Sequence, residues 1–181
     1  MEQGVAMQLK LMLAVGFGAA AFLTLAGSAL AQSPDQESQS FIKTAIEGNI
    51  AEIDVGKLAQ KKGKNPAVKQ YGAMLVKDHG AANSKAKEAA KSVKVSPPTG
   101  SSVAEKATYL KLKVLSGDAF DKSFASSMVS DHQSDIKEYQ KEAQKSDAVG
   151  SYAKEALPTL QKHLQEAQKL DQTLKQTTGS K

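Results

Sequence analysis

The sequence contains no cysteine, no arginine and no tryptophan, and aromatic residues make up only 5% of its 181 positions. Without cysteine, the chain forms no disulfide, offers no thiolate to a metal and has no cysteine for a lipid anchor. Without arginine, it lacks the planar guanidinium fork used in phosphate and base recognition, so we expect no nucleic-acid partner. With so few aromatic residues, the core must be built from Ala, Leu, Ile, Val and Met.

All 24 basic residues are lysines, and they are interleaved with Asp and Glu along the chain. This interleaving is typical of a solvated helical surface. The formal net charge of +5 is compatible with weak association with an anionic membrane or wall surface of a cell envelope. The composition does not indicate an oligomeric state.

The first 31 residues have the pattern of a secretory signal peptide. Lys10 precedes an apolar run at residues 11–25, and residues 29–31 (Ala-Leu-Ala) form a small-x-small cleavage site before Gln32. This pattern predicts cleavage near Ala31 and a periplasmic or secreted mature chain. The alternative is an uncleaved membrane anchor, because residues 11–31 are nearly long enough to span a bilayer. The short apolar run and the cleavage site favour removal.

Apolar residues of the mature chain recur at helical spacing, and no convincing period-two run occurs, so we predict an all-α domain. The predicted bundle occupies residues 38–176, between a polar tail at 32–37 and a frayed tail at 177–181. Its four long helices are each about 38 Å long. The predicted helix boundaries follow capping signals. These are Asn65 before Pro66, Ser102 with Glu105, Asp118, and Ser146 or Asp147.

The connections predict how the four helices are joined. Short links pair the first helix with the second and the third with the fourth, which makes two antiparallel hairpins. Residues 94–117 are long enough to run back along the bundle, and they contain a short helix. Two hairpins joined by one long crossover are the ferritin-like arrangement. Pro158 lies inside the last helix and is expected to kink it.

Two of the three histidines occur in nearly the same setting. Residues 75–79 (Leu-Val-Lys-Asp-His) and 128–132 (Met-Val-Ser-Asp-His) both read apolar, apolar, any residue, Asp, His. The third histidine, His163, falls on an apolar stripe. All three, together with Glu52, lie near the middle of different predicted helices. We therefore expect them at about the same height in the bundle.

This cluster is a candidate metal site. We predict Glu52, His79, His132 and His163 as ligands of a single ion, with Asp78 and Asp131 either hydrogen-bonded to those ligands or acting as alternative ligands. A nitrogen-rich set without thiolate suits Fe, Zn, Ni or Cu. A di-iron oxidase is not favoured, because its Glu-x-x-His motif is missing. The reverse order, a histidine followed three residues later by a carboxylate, does occur at His132 and at His163. The carboxylates concerned, Asp135 and Glu166, are expected to face solvent.

A structural alternative stands beside the metal site. The imidazoles and carboxylates can satisfy one another in a buried hydrogen-bond network that fixes helix register without any ligand. The protein is then either a metal-binding or stress-related envelope protein, or a non-enzymatic structural or interaction module. The sequence shows no Ser-His-Asp arrangement, no Cys-His arrangement and no glycine-rich phosphate loop. No catalytic motif of these kinds therefore favours an enzyme.

The chain also resembles a known family, over about residues 40–170. It is similar to the exported bacterial ferritin-like domains of the DUF4142 family, whose members are often labelled outer membrane proteins. The resemblance implies the four-helix fold and an envelope location, but it implies no reaction. The resemblance rests on Phe41 with Ala45 and Glu52, on Leu58 with Ala59, and on residues 74–79, 128–132 and 157–164.

Overall fold

The computed structural model describes residues 34–176, which form five α-helices and no strand. The prediction of an all-α bundle is confirmed. None of the helices at residues 34–176 contains a hydrophobic stretch of the length that a bilayer span requires. The predicted signal peptide and its anchor alternative lie outside the described residues, as does the predicted tail at 177–181. The helices are α1 (Pro34–Lys62), α2 (Pro66–Ser92), α3 (Val103–Val114), α4 (Gly117–Glu142) and α5 (Ala148–Gln176).

Two apolar clusters fill the two ends of the bundle. One cluster combines the end of α1 and the start of α2 with the start of α4 and the end of α5. The other combines the start of α1 and the end of α2 with the end of α4 and the start of α5. Both hairpins are therefore antiparallel. The largest fully buried apolar side chains are those of Phe120, Phe124, Ile42, Ile46, Leu75, Leu112 and Met128.

The crossover runs the length of the bundle. Helix α2 ends at the second cluster and α4 begins at the first, so residues 93–116 connect opposite ends. They carry α3, which packs against α1 and α4. This connection is the one predicted from the chain lengths. It places α3 beside the middle of the bundle, where it forms one wall of a groove.

Local capping signals mark most helix starts. The Asn65 side chain accepts a hydrogen bond from Ala67 N at 2.8 Å, and Ser102 with Glu105 forms the predicted capping box. Asp147, one of the two predicted caps, accepts from Gly150 N at 2.7 Å. The prediction that Asp118 caps the third long helix is wrong.

Two helix starts lie earlier than predicted. Helix α4 begins at Gly117, whose φ of +58° favours glycine, and Ser116 is its N-cap. Asp118 is therefore in the first turn, where a carboxylate interacts favourably with the helix dipole. Helix α1 begins at Pro34 rather than at residue 38, and proline is well suited to the first helical turn. Helix α5 runs continuously through Pro158.

Two further contacts fix the first hairpin in place. The buried carboxylate of Asp121 accepts hydrogen bonds from Lys64 N at 3.0 Å and Asn65 N at 2.7 Å, which ties the α1–α2 turn to α4. A Cβ on Gly56 would lie 2.7 Å from Gly72 O, and one on Gly72 would lie 2.6 Å from Gly56 O. The two backbones thus touch without side chains between them. This close approach holds the middle of α1 against the middle of α2.

Candidate metal centre

The three histidines meet between the two apolar clusters. His79 comes from α2, His132 from α4 and His163 from α5, and all three side chains are buried. One ring nitrogen from each lies within 4.8 Å of the others. The ring centroids are 5.2–5.7 Å apart. The three histidines were expected at about the same height because each lies near the middle of its helix, and their ring nitrogens do converge. Glu52, which was expected with them, is not in this group.

Each ring has one nitrogen facing an oxygen acceptor. His132 Nδ1 lies 3.0 Å from Met128 O, and His163 Nε2 lies 3.0 Å from Asp78 Oδ2. His79 Nδ1 lies 2.9 Å from Asn49 Oδ1. The Asn49 amide nitrogen donates to Tyr152 OH at 3.0 Å, which turns the amide oxygen toward His79. Because all three partners accept, each of these ring nitrogens carries the proton.

The remaining nitrogens then carry lone pairs. His79 Nε2 is buried without a hydrogen-bond partner among the described residues. His132 Nε2 faces His163 Nδ1 at 3.3 Å, so two acceptors point at one another. In a tetrahedral site with metal–nitrogen bonds of 2.0–2.1 Å, two ligand nitrogens lie about 3.3–3.4 Å apart. The spacing of this pair is therefore that of two nitrogens sharing one ion.

Burial keeps the rings neutral. The pKa of His79 lies well below its ordinary value because the ring is desolvated and the other two imidazoles are close. Burial, and then His163, lower the pKa of His132 to about 4. Burial also lowers the pKa of His163, although the hydrogen bond and charge of Asp78 oppose the shift. Neutral imidazole is the form that binds metals.

The groups around the rings resemble the outer shell of a metal site. Metal-bound histidines usually donate their second N–H to a carboxylate, a carbonyl or water, which fixes tautomer and orientation. Asp78 and the Met128 carbonyl have these positions, and Asn49 supplies a third acceptor. Asp78 was predicted either to hydrogen-bond to a ligand or to bind the ion itself, and in this structure its carboxylate faces His163. Asn49 was missed, although it lies on the same helical stripe as Glu52.

Glu52 and Asp131 lie elsewhere. Within the described range, the group of residues close enough to hold one ion consists of the three histidines alone. Glu52 and Asp131 line a groove of about 520 Å³ between α1, α3 and α4, and His79 also reaches its wall. The structure thus separates the predicted ligands into an imidazole group and a carboxylate group.

Burial, and then the charges of their neighbours, raise the pKa of the groove carboxyl groups. Burial, followed by the charges of Asp131, Asp135 and Glu105, holds the pKa of Glu52 well above its usual range. Burial and Glu105 raise the pKa of Asp131 to about 6. Asp135 was expected to face solvent but is partly buried on the groove wall. Glu166, by contrast, pairs with Lys169 at the surface.

The chain matches the model of a protein family. A family model described as a domain of unknown function, DUF4142, matches residues 24–170, which is most of the chain. No curated protein and no solved structure matches the chain.

Proposed function

The chain belongs to the DUF4142 domain family, whose function is unknown, and we propose that it is an exported, ferritin-like metal-binding protein. The proposed ligands are His79 Nε2, His132 Nε2 and His163 Nδ1. Three imidazoles leave a fourth position of a tetrahedral ion for water or another ligand. The donor set suits Zn, Cu, Ni or Fe. The signal peptide predicted at residues 1–31 supports a periplasmic or secreted location.

The observation that carries this proposal is the convergence of one ring nitrogen from each histidine within 4.8 Å, with a second nitrogen of each ring facing an oxygen acceptor. A purely structural network does not account for it equally well. Such a network stabilises a fold only when every buried donor and acceptor is paired. Here His79 Nε2 has no hydrogen-bond partner among the described residues, and the facing nitrogens of His132 and His163 are both acceptors. One cation at this point would satisfy all three.

The connectivity of the bundle supports the ferritin-like part of the proposal, because one long crossover joins two antiparallel hairpins. The site itself would differ from the di-iron sites of ferritin-like proteins. Those sites combine glutamates with Glu-x-x-His motifs. The proposed site has three imidazoles from three helices, and Val76, Val129 and Leu160 stand where the motif would require glutamate.

Calorimetric titration of the metal-free protein tests the proposal. We expect one Zn²⁺ or Cu²⁺ per chain in the wild type. Since His132→Gln removes a ligand, it should weaken binding by more than the roughly 10- to 100-fold typical of losing an outer partner. Asp78→Asn, which keeps the side-chain shape, should fall within that 10- to 100-fold range. Gln133→Ala, on the exposed side of the same helix, is the matched control and should bind as the wild type does.

Two results would contradict the proposal. One is the absence of stoichiometric binding for all four metals in the wild type. The other is equal affinity in the wild type and His132→Gln, with only the thermal stability lowered in the variant. The second result would assign the histidines to a hydrogen-bond network.

A further inference from the structure

The outer face of α3 presents apolar side chains to solvent. Among the described residues, the large hydrophobic side chains that are exposed all belong to this helix: Val103 is 85% exposed, Leu110 57% and Val114 83%. Positions seven and eleven residues after Val103 point within about 20° of it around an α-helix, and exposed Ala107 lies between them. We call these four residues the α3 stripe. Single exposed hydrophobic residues are ordinary, whereas an aligned group marks a contact surface.

The opposite face of α3 attaches the helix to the bundle. Leu112 lies about 180° around the helix from Val103, and it is fully buried in the first apolar cluster. Glu105 also turns inward. Its Oε2 accepts a hydrogen bond from Ser102 N at 2.7 Å, and its Oε1 lies against α1, 3.5 Å from where a Cβ of Gly48 would be. The α3 stripe therefore faces outward from a helix whose core side is already packed.

Lysines flank the α3 stripe on both sides. Exposed Lys106 and Lys113 lie about 70–90° to one side of its centre, and exposed Lys111 lies about 70° to the other. Lys62 adds a cation at the end of the helix, where its Nζ donates a hydrogen bond to Lys113 O. Because Glu105 turns inward, the outward-facing charges of α3 are all positive. An apolar stripe flanked by lysines is typical of helices that lie in the surface of an anionic bilayer.

The size of the α3 stripe favours a lipid surface over a second copy of the chain. A stable protein interface buries about 800 Å² on each partner, contributed by roughly 20–30 residues, and its core is rich in aromatic residues and arginine. The stripe has four aliphatic residues along about 17 Å of one helix. A bilayer can accept a single protruding helix, and a few inserted side chains with nearby lysines give weak, reversible binding.

We propose that α3 docks the protein on an anionic lipid bilayer. The α3 stripe inserts at the level of the lipid headgroups, and Lys106, Lys111 and Lys113 contact the lipid phosphates. The proposal does not depend on the three histidines, since α3 contributes none of them. It gives a place on the molecule to the association with an anionic surface that the net charge of +5 allows.

Co-sedimentation with lipid vesicles tests the charged part of the surface. The protein is used as the cell exports it, and mass spectrometry of its N-terminus ensures that all variants share the same start. Wild type should bind vesicles of equal phosphatidylglycerol and phosphatidylcholine at least about tenfold more tightly than vesicles of phosphatidylcholine alone. Replacing Lys106 and Lys113 together by Gln should weaken binding to the anionic vesicles roughly 25-fold, about fivefold for each lysine.

A second double variant is the matched charge control. Replacing Lys87 and Lys154 together by Gln removes the same charge from exposed positions on α2 and α5, whereas α3 packs against α1 and α4. Charges that do not lie beside the bilayer contribute little, because salt screens them within about 10 Å. This control should therefore bind the anionic vesicles within about threefold of wild type.

Leu110 tests the apolar part of the surface. Leu110→Gln should weaken binding to the anionic vesicles roughly tenfold or more, because it removes one inserted aliphatic side chain. Leu110→Met keeps an apolar group of similar volume, so it should bind within about threefold of wild type. Circular dichroism checks that each variant is folded, and the Lys106 and Lys113 double variant decides if Leu110→Gln is not.

Three results would overturn the proposal. One is a wild-type protein that does not bind the anionic vesicles. Another is equal weakening by the α3 double variant and its control, because the attraction would then come from net charge rather than from α3. The third is a wild-type dimer in sedimentation equilibrium that Leu110→Gln dissociates, which would assign the α3 stripe to a second copy of the chain.

Discussion

At the scale of single residues, Asp135 is the most informative titratable group. Burial and the charges of Asp131, Glu105 and Glu138 raise its pKa from 3.8 to about 7. An acid with a higher pKa in the folded state holds its proton more tightly when folded. The resulting stability is fully present below the unfolded pKa near 4. It is lost as the pH rises toward the folded pKa near 7.

Asp135→Asn should therefore stabilise the metal-free protein at alkaline pH, because it removes this repelled charge. One pKa unit corresponds to about 1.4 kcal/mol, so the gain in the free energy of unfolding should be about 1–3 kcal/mol near pH 8. The gain should shrink toward zero near pH 4, because in the folded protein Asp135 is then protonated and carries no more charge than the asparagine of the variant. Urea denaturation in chelator-treated buffer measures it, with Glu88→Gln as control. A variant no more stable than wild type near pH 8 would argue against crowded carboxylates.

The site was partly predictable from its residues. The mid-helix positions of His79, His132 and His163 predicted that their side chains lie at one height, and one ring nitrogen of each does lie within 4.8 Å of the others. Helical periodicity gives the direction in which a side chain points from the axis of its helix. It does not give which neighbouring helix that side chain faces. Glu52 and Asp131 were therefore grouped with the imidazoles, although they face the groove beside α3. Asn49 was overlooked for the same reason, because its role depends on its hydrogen bond to His79 on the neighbouring helix.

At the scale of helices, the spacing of α1 and α2 depends on glycine. Gly56 and Gly72 face one another, and a Cβ on Gly72 would also lie 2.8 Å from Ala59 Cβ. Backbone atoms are the nearest neighbours, so an added methyl cannot be accommodated by rotating a side chain. The same helix pair holds the Asn49–His79 hydrogen bond. Its spacing thus supports the proposed metal centre as well as the core.

Gly72→Ala and Gly80→Ala form a matched pair on α2. Gly72→Ala should lower the free energy of unfolding by about 1–3 kcal/mol through overpacking. A Cβ on Gly80 meets nothing within 4 Å, so Gly80→Ala should raise it by about 0.5–1 kcal/mol through helix propensity. Urea denaturation measures both. If both variants changed the free energy of unfolding in the same direction, close packing at Gly56 and Gly72 would not explain how the two positions differ.

Helix starts were predictable where the signal is local. Asn65, Ser102 with Glu105, and Asp147 cap their helices through contacts within three residues. The start of α4 was not predicted, because it depends on the positive φ of Gly117 rather than on a capping side chain. The position of α3 against α1 and α4 was also beyond the local pattern. Only that packing shows that Glu105 both caps α3 and lines the groove between α1, α3 and α4.

At the scale of the whole molecule, a polar centre is enclosed between two apolar ends. With no cysteine, the bundle is held by packing, and a bound ion would add stability that grows with the logarithm of its concentration divided by its dissociation constant. The overall topology was predictable because short and long connections leave few ways to arrange four helices. The chemistry at the centre was not, because it depends on which ring nitrogens converge.

Anomalous diffraction at the zinc edge, from crystals grown with Zn²⁺, tests the central claim most directly. The account predicts one strong peak at mid-bundle, about 2.0–2.1 Å from His79 Nε2, His132 Nε2 and His163 Nδ1. The opposite ring nitrogens should keep their bonds to Asn49, Met128 and Asp78. A bundle centre without a peak, with zinc found only on surface carboxylates, would contradict it.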